Sequence, residues 1–174
     1  RGSEFRIKLS GSKNKGLYFN HGSTFNVNTF ELKSIDGTKN IPVYIQNGTV
    51  SLAGGTIDIT GGNENIGIFT NKPITSTAAN ITINNSTKSI GIYAKNAGAT
   101  TTNTGKISAT GVSVKAIIAD NSTITSSGKV DVTGSAANSS DGTIGLGAMN
   151  GGKLTQNGAT NINIDGSGSV GVYS

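Results

Sequence analysis

Apolar residues return along this chain in a fixed order instead of gathering in clusters. Short segments join a small residue to apolar neighbours and run into an amide. They are Gly16-Leu17-Tyr18-Phe19-Asn20, Pro42-Val43-Tyr44-Ile45-Gln46-Asn47, Gly67-Ile68-Phe69-Thr70-Asn71 and Gly91-Ile92-Tyr93-Ala94-Lys95-Asn96. Lys115-Ala116-Ile117-Ile118-Ala119-Asp120-Asn121, Gly145-Leu146-Gly147-Ala148-Met149-Asn150 and the final Gly171-Val172-Tyr173-Ser174 continue the series. Their starts lie about 24 to 30 residues apart, which is the period of a stacked repeat.

A second signal follows in each repeat. Ile57 and Ile59 flank Asp58, Ile81 and Ile83 flank Thr82, Ile107 and Ala109 flank Ser108, Val130 and Val132 flank Asp131, and Ile162 and Ile164 flank Asn163. Period-2 alternation marks a half-buried strand. Phe30 and Leu32 around Glu31 read as the same element in the first repeat, and Ile7 and Leu9 as the remnant of an earlier one. A weaker third strand falls between these two, at Phe25/Val27, Val50/Leu52, Ile74, Thr102, Ile124 and Leu154. Gly, Asn and Asp punctuate the strand ends and supply turns.

Three short strands and three turns per repeat, with no helical periodicity, leave few architectures. A propeller blade needs four strands and a longer repeat, and the leucine-rich consensus is absent. The chain is therefore expected to be all-β: a right-handed parallel β-helix of about six coils of roughly 24–30 residues, three strands per coil. Stacking then predicts columns. Ile41, Ile66, Ile90, Val114, Ile144 and Val170 are expected to point inward, as are Val43, Ile68, Ile92, Ala116, Leu146 and Val172. Tyr18, Tyr44, Phe69, Tyr93, Ile117, Gly147 and Tyr173 are expected outside, as a largely aromatic ladder.

Composition narrows the class. Only 13% of the residues are charged and Gly numbers 26 of 174, against roughly 25% charged in an ordinary domain. Disorder would fit the polarity but not the regular Ile, Val and Thr. The net charge of +5 comes from scattered lysines, without the clustered footprint of a nucleic-acid interface. With no Cys, a disulfide framework and thiolate metal sites are excluded. No apolar run approaches the roughly 20 residues of a membrane helix, and no signal peptide is present. Residues 1–5 (Arg1-Gly2-Ser3-Glu4-Phe5) read as a cloning linker, leaving 6–174 as one β-helix domain.

The phrase Ser89-Ile90-Gly91-Ile92-Tyr93-Ala94-Lys95-Asn96, followed by Thr102-Asn103-Thr104-Gly105-Lys106-Ile107, resembles the repeats of type V autotransporter passengers. It is similar in particular to those of the very large fusobacterial adhesins. The resemblance runs from about residue 16 to 174, with Pro42 and Lys115 standing where the repeat has Gly. It implies a β-helical passenger fragment, displayed at the cell surface by a separate outer-membrane barrel and serving adhesion, aggregation or host-cell binding. The implied partner is a receptor on host or bacterial surfaces, protein or glycan, and the fragment is expected to be monomeric.

Chemistry is sparse. Many parallel β-helices process polysaccharides, but the only arginines are Arg1 and Arg6, and Asp58 and Asp131 fall about three coils apart, roughly 14 Å at the inter-strand spacing. That is too far for a paired-carboxylate hydrolase. His21 is the sole histidine and reads as an exposed turn residue. Gly61-Gly62-Asn63-Glu64 only hints at a calcium-binding nonapeptide and does not recur. No glycine-rich segment leads into the Lys and helix of a phosphate loop. The threonines repeat too loosely for an ice-binding array. The reading carries no catalytic residue, no cofactor and no metal site.

Two surface features remain as candidates. Coil length departs from the period at Ser34–Asn40 and, most, at Gly134–Thr143. Insertions in solenoids map to loops, often on the binding face. That singles out Ser135, Asn138, Ser139, Ser140 and Asp141 as a candidate partner-binding loop. The aromatic column Tyr18, Tyr44, Phe69, Tyr93 and Tyr173 is the second, either as a sugar-stacking surface or as mutual stabilisation along the rod. The functional expectation is an adhesin scaffold or stalk, with a glycan-binding or glycan-processing β-helix and an inert spacer as the alternatives.

Overall fold

The computed structural model describes residues 5–22, 24–98, 100–138 and 140–174. Those residues form twenty strands and no helix. One sheet, the tyrosine sheet, stacks β2 (Lys15–Phe19), β5 (Ile41–Ile45), β8 (Ile66–Thr70), β11 (Ile90–Lys95), β14 (Lys115–Asp120), β17 (Ile144–Met149) and β20 (Val170–Tyr173). A sheet of shorter strands stacks β3 (Thr24–Val27), β6 (Thr49–Leu52), β9 (Ile74–Thr77), β12 (Thr100–Asn103), β15 (Thr123–Ser126) and β18 (Lys153–Gln156). The isoleucine sheet stacks β1 (Phe5–Leu9), β4 (Phe30–Ile35), β7 (Thr56–Thr60), β10 (Asn80–Thr87), β13 (Ile107–Val112), β16 (Val130–Ser135) and β19 (Thr160–Ile164).

Every strand pairs, in parallel, with the strand three places along the chain. The chain is thus a β-solenoid of about seven turns, one more than the repeat count predicts, with three strands in each coil. At the usual spacing of strands it is roughly 30 Å long.

The core is a set of columns. Leu32, Ile57, Ile81, Ile107 and Val130 stack on the isoleucine sheet, and Val43, Ile68, Ile92, Ile117 and Leu146 on the tyrosine sheet, all buried. β-branched side chains suit this packing because their restricted rotamers match the pleat.

Several expected placements are corrected. In the coil at 115–120 the register is one residue off: Lys115 stacks on Ile90 and Ile117 on Ile92. Ala116, not Lys115, holds the small position, and Ile118, not Ile117, is the outward residue beside Tyr93. The column expected to point inward, Ile41, Ile66, Ile90, Ile144 and Val170, is half-buried and includes Lys15 and Lys115. Alternation breaks there because the next position lies against the neighbouring coil. A Cβ on Gly67 would stand 2.7 Å from the Gly91 oxygen and 3.2 Å from Ile81 Cγ2, and one on Gly91 would stand 2.6 Å from the Ala116 oxygen. Two successive positions are consequently buried and the preceding residue swings out.

Thr102 faces outward; Thr101 and Asn103 are the buried pair of that strand. Phe30 stacks on Phe5, two residues upstream of Leu32, and Leu32 is the residue that aligns with Ile57. Ser34–Asn40 is no insertion. Ser34 pairs with Ile59 and Ile59 with Ile83, and each reaches its next strand (Ile41, Ile66, Ile90) in the same number of residues.

That turn is built by a polar ladder inside the rod. The Asn14 N–H donates to Asn40 Oδ1 at 2.9 Å, Asn40 N–H to Asn65 Oδ1 at 2.9 Å, and Asn65 N–H to Ser89 Oγ at 3.0 Å. Asn40, Asn65 and Ser89 are fully buried. Val114 occupies the matching place in the next coil, and the ladder resumes where the Thr143 N–H donates to Ser169 Oγ. Lys13, Lys39, Glu64 and Lys88 follow one another at the same turn with φ between 54° and 60°. Their N–H groups donate in order to the oxygens of Thr38, Asn63, Thr87 and Val112.

These contacts carry measurable weight. Asn65→Ala strands the Asn40 N–H and is expected to cost about 1–3 kcal/mol in equilibrium urea unfolding. Ile92→Ala opens a cavity in a full column and is expected to cost about 2–5 kcal/mol. An unchanged midpoint for Asn65→Ala would show that the buried ladder contributes nothing to stability.

Candidate partner-binding surfaces

The segment after β16 is the real departure from the period. Ala109 pairs with Val132 and Lys115 with Ile144, so six residue steps in one coil face twelve in the next. The extra residues close on themselves. Asn138 and Asp141 form an antiparallel bridge, and Asn138 Oδ1 accepts from Ser140 N–H at 3.0 Å and Ser140 Oγ at 2.8 Å. The loop is also pinned to the rod. Asp141 Oδ2 lies 2.8 Å from Lys88 Nζ and its Oδ1 3.6 Å from Lys115 Nζ. The Ala137 N–H donates to Ser113 Oγ at 3.0 Å, and Thr143 Oγ1 donates to the Ser135 oxygen at 2.8 Å. Ser135 thus belongs to the base, Asn138 and Ser140 are exposed, and Asp141 is a fastener. Ser139 lies outside the described residues.

The hydrogen bond from Lys88 holds the Asp141 carboxyl below its ordinary range, with the Lys115 charge assisting, although partial burial opposes it. The same bond raises Lys88.

Four members of the aromatic column form a continuous stack. Ring centroids are 5.3 Å apart for Tyr18–Tyr44, 5.0 Å for Tyr44–Phe69 and 5.5 Å for Phe69–Tyr93. Ile118 and Gly147 then separate Tyr173 from the rest. Much of the ladder is occupied by the protein itself. Lys15 Nζ sits 4.6 Å from the centroids of both Tyr18 and Tyr44, a cation–π contact worth about 0.5–1 kcal/mol at an exposed site. The Tyr18 hydroxyl donates to Gln46 Oε1 one coil on, and Tyr93 Oη donates to Asp120 Oδ2 at 2.8 Å. Asn150 Nδ2 holds the other Asp120 oxygen at 2.7 Å. Burial, reinforced by the bond and charge of Asp120, pushes the Tyr93 phenol up to about 12. The Asn150 and Tyr93 bonds keep the Asp120 carboxyl low.

A groove of about 370 Å³ lies where the inserted loop leaves the isoleucine sheet. Its floor is Gly111 and Gly134, which pair in register. Asn85, Thr110, Thr133, Ser135, Asn163 and Asp165 line it. Apart from Ser135, none of these stood out in the sequence. The outward Thr and Asn of successive coils carry no periodic signal, and only the coil register brings them together.

The two aspartates weighed for hydrolysis do share an outward column, with Thr82 and Ser108 between them. Burial raises the Asp58 carboxyl, whereas the hydrogen bond from Lys129, with others from Asn161 and Lys106, lowers that of Asp131. Such opposed environments suit an acid–base pair only at close range, and three coils separate them. Among the described residues, no group of three or more His, Cys, Asp or Glu stands together.

No family model, curated protein or solved structure matches this chain.

The loop fastening has a pH signature. A depressed folded pKa means that Asp141 stabilises the loop above the ordinary carboxylate range, and that this is lost as pH falls through the lowered folded value. The raised Lys88 contributes below the ordinary lysine range and fades as pH rises through its folded value. Between those limits, Asp141→Asn is expected to speed amide exchange at 136–138 and 140–141 with little change in the global unfolding midpoint, as befits a solvent-screened pair. Unaltered exchange would dismiss the fastener. Spectroscopic phenolate titration is expected to show one tyrosine ionising at about 12. Asp120→Asn is expected to bring it down only part of the way, because burial is the larger cause. A titration insensitive to that change would remove Asp120 from the account.

Proposed function

We propose that this chain is a rod segment of a cell-surface passenger of the type V autotransporter class, and that it serves as an adhesin scaffold or stalk without enzymatic activity. The observation that carries this reading is the stack of about seven coils, whose one large departure among the described residues is a short, fastened loop. A solenoid holds an extended form because the strands of each coil pair with those of the next. That makes it a spacer able to hold a binding surface away from a membrane. The repeat phrase around Ser89–Asn96 supports the same class by resemblance. In the intact protein a separate barrel anchors the rod in the outer membrane. The partner is a receptor on a host cell or on another bacterium.

Labelling of intact cells that make the protein, with antibodies raised to this chain, tests the location. Surface labelling before permeabilisation is expected; labelling only afterwards contradicts it. Competition tests the adhesive role. Soluble chain is expected to reduce attachment of those cells to host or partner cells. A chain that neither binds cells nor competes leaves the inert spacer as the correct reading.

A further inference from the structure

We propose that the groove beside the inserted loop binds a neutral saccharide unit, an inference that rests on the adhesive reading above and names its ligand class. Two independent features converge there. The groove lies where the largest departure from the repeat begins: Gly134 and Ser135, which line it, are the last residues of β16 and lead directly into the loop. The loop base also braces the far wall. The Asp165 N–H donates to the Gly134 oxygen at 2.8 Å, and a Cβ on Gly166 would stand 2.9 Å from the Ala136 nitrogen.

The lining suits polyhydroxylated ligands. Thr133 lies between Thr110 and Asn163 on successive coils, so three polar groups repeat at about 4.8 Å along the rod. They stand on paired strands, which hold them in place before any ligand arrives. Thr110 Oγ1 is further fixed by the Asn85 N–H at 3.2 Å and by Asn84 Oδ1 at 3.2 Å. Thr133 and Asn163 are exposed. The threonine methyls and the backbone at Gly111 and Gly134 offer contact for sugar C–H groups, while Asn, Ser and Asp supply hydrogen-bond partners for hydroxyls.

Charge narrows the class. Among the described residues that line the groove, Asp165 alone is charged. The neighbouring cations Lys88 and Lys115 are paired with Asp141. Uronic acids, sialic acids and sulfated glycans therefore meet the Asp165 carboxylate in the groove. The aromatic ladder is the weaker sugar site, since Lys15, Gln46 and Asp120 already engage its faces and hydroxyls. A shallow, open groove binds a single unit weakly, so useful adhesion comes from many copies on one cell.

The test is an array of neutral and acidic oligosaccharides probed with the purified chain and three variants. Thr133→Trp fills the groove, and Asn163→Ala removes one polar partner without adding bulk. Thr155→Trp places the same bulk on the exposed face of the short-stranded sheet. Signal is expected on neutral hexose- or N-acetylhexosamine-terminated glycans. It should fall about tenfold or more, a loss of about 1.4 kcal/mol, in Thr133→Trp, weaken in Asn163→Ala and persist in Thr155→Trp. Melting curves show which variants remain folded, and Asn163→Ala decides the matter if Thr133→Trp does not. No neutral-glycan signal, binding confined to acidic glycans, or binding indifferent to the groove variants overturns the proposal. Blocked cell attachment with a blank array leaves the surface role standing and removes the saccharide; array binding without cell attachment does the reverse.

Discussion

The structure depends on one constraint: each strand satisfies its backbone through the equivalent strand one coil away. Parallel pairing at about 4.8 Å places like position over like position. A residue type that works at one level must therefore tolerate near-copies of itself above and below. Aliphatic side chains meet this easily, which accounts for the buried Ile and Val columns. Asparagine meets it by donating and accepting along the axis, as Asn14, Asn40 and Asn65 do. Tyrosine meets it by ring contact plus a hydroxyl bond to the next coil, as Tyr18 does with Gln46 and Tyr93 with Asp120.

The same constraint overrides local preference. Left-handed backbone costs roughly 1–2 kcal/mol for a residue with a Cβ, and turns that need it usually select Gly or Asn. Here Lys13, Lys39, Glu64 and Lys88 adopt it at one corner. Each is held by an N–H bond to the neighbouring coil, and the backbone arrangement repeats from coil to coil. Their side chains face solvent, where Lys39 and Glu64 pair at 3.1 Å. Stacking sets the backbone, and side-chain chemistry is left free outside. On such a rod, a local departure such as the loop at 136–141 stands out against a regular background.

The errors of register have a common origin. A reading that assumes strict alternation places the residue before each small position inside. Close approach of coils at Gly67 and Gly91 breaks that alternation, and Lys115 then aligns with Ile90 instead of Gly91. Likewise Asn40 and Asn65 look like surface residues by type, yet they are buried because neighbouring backbone and side-chain groups supply their partners. Ser34–Asn40 looks like an insertion until its stacked equivalents are seen.

The sequence by itself determined the period, the all-β class, three strands per coil, the Ile57–Ile81–Ile107 column and the Tyr18–Tyr44–Phe69–Tyr93 stack. Those features are periodic, and periodicity survives without coordinates. It also located the long segment after Gly134. Only the tertiary structure decided which way that segment folds, that Asp141 fastens it to Lys88 and Lys115, and that it borders a groove shared with Asn85, Thr133, Asn163 and Asp165. The residues lining the groove, Thr110 and Gly111 included, come from four coils and repeat with no pattern of their own. Their juxtaposition depends on exact inter-coil register, which local pattern leaves open by a residue or more.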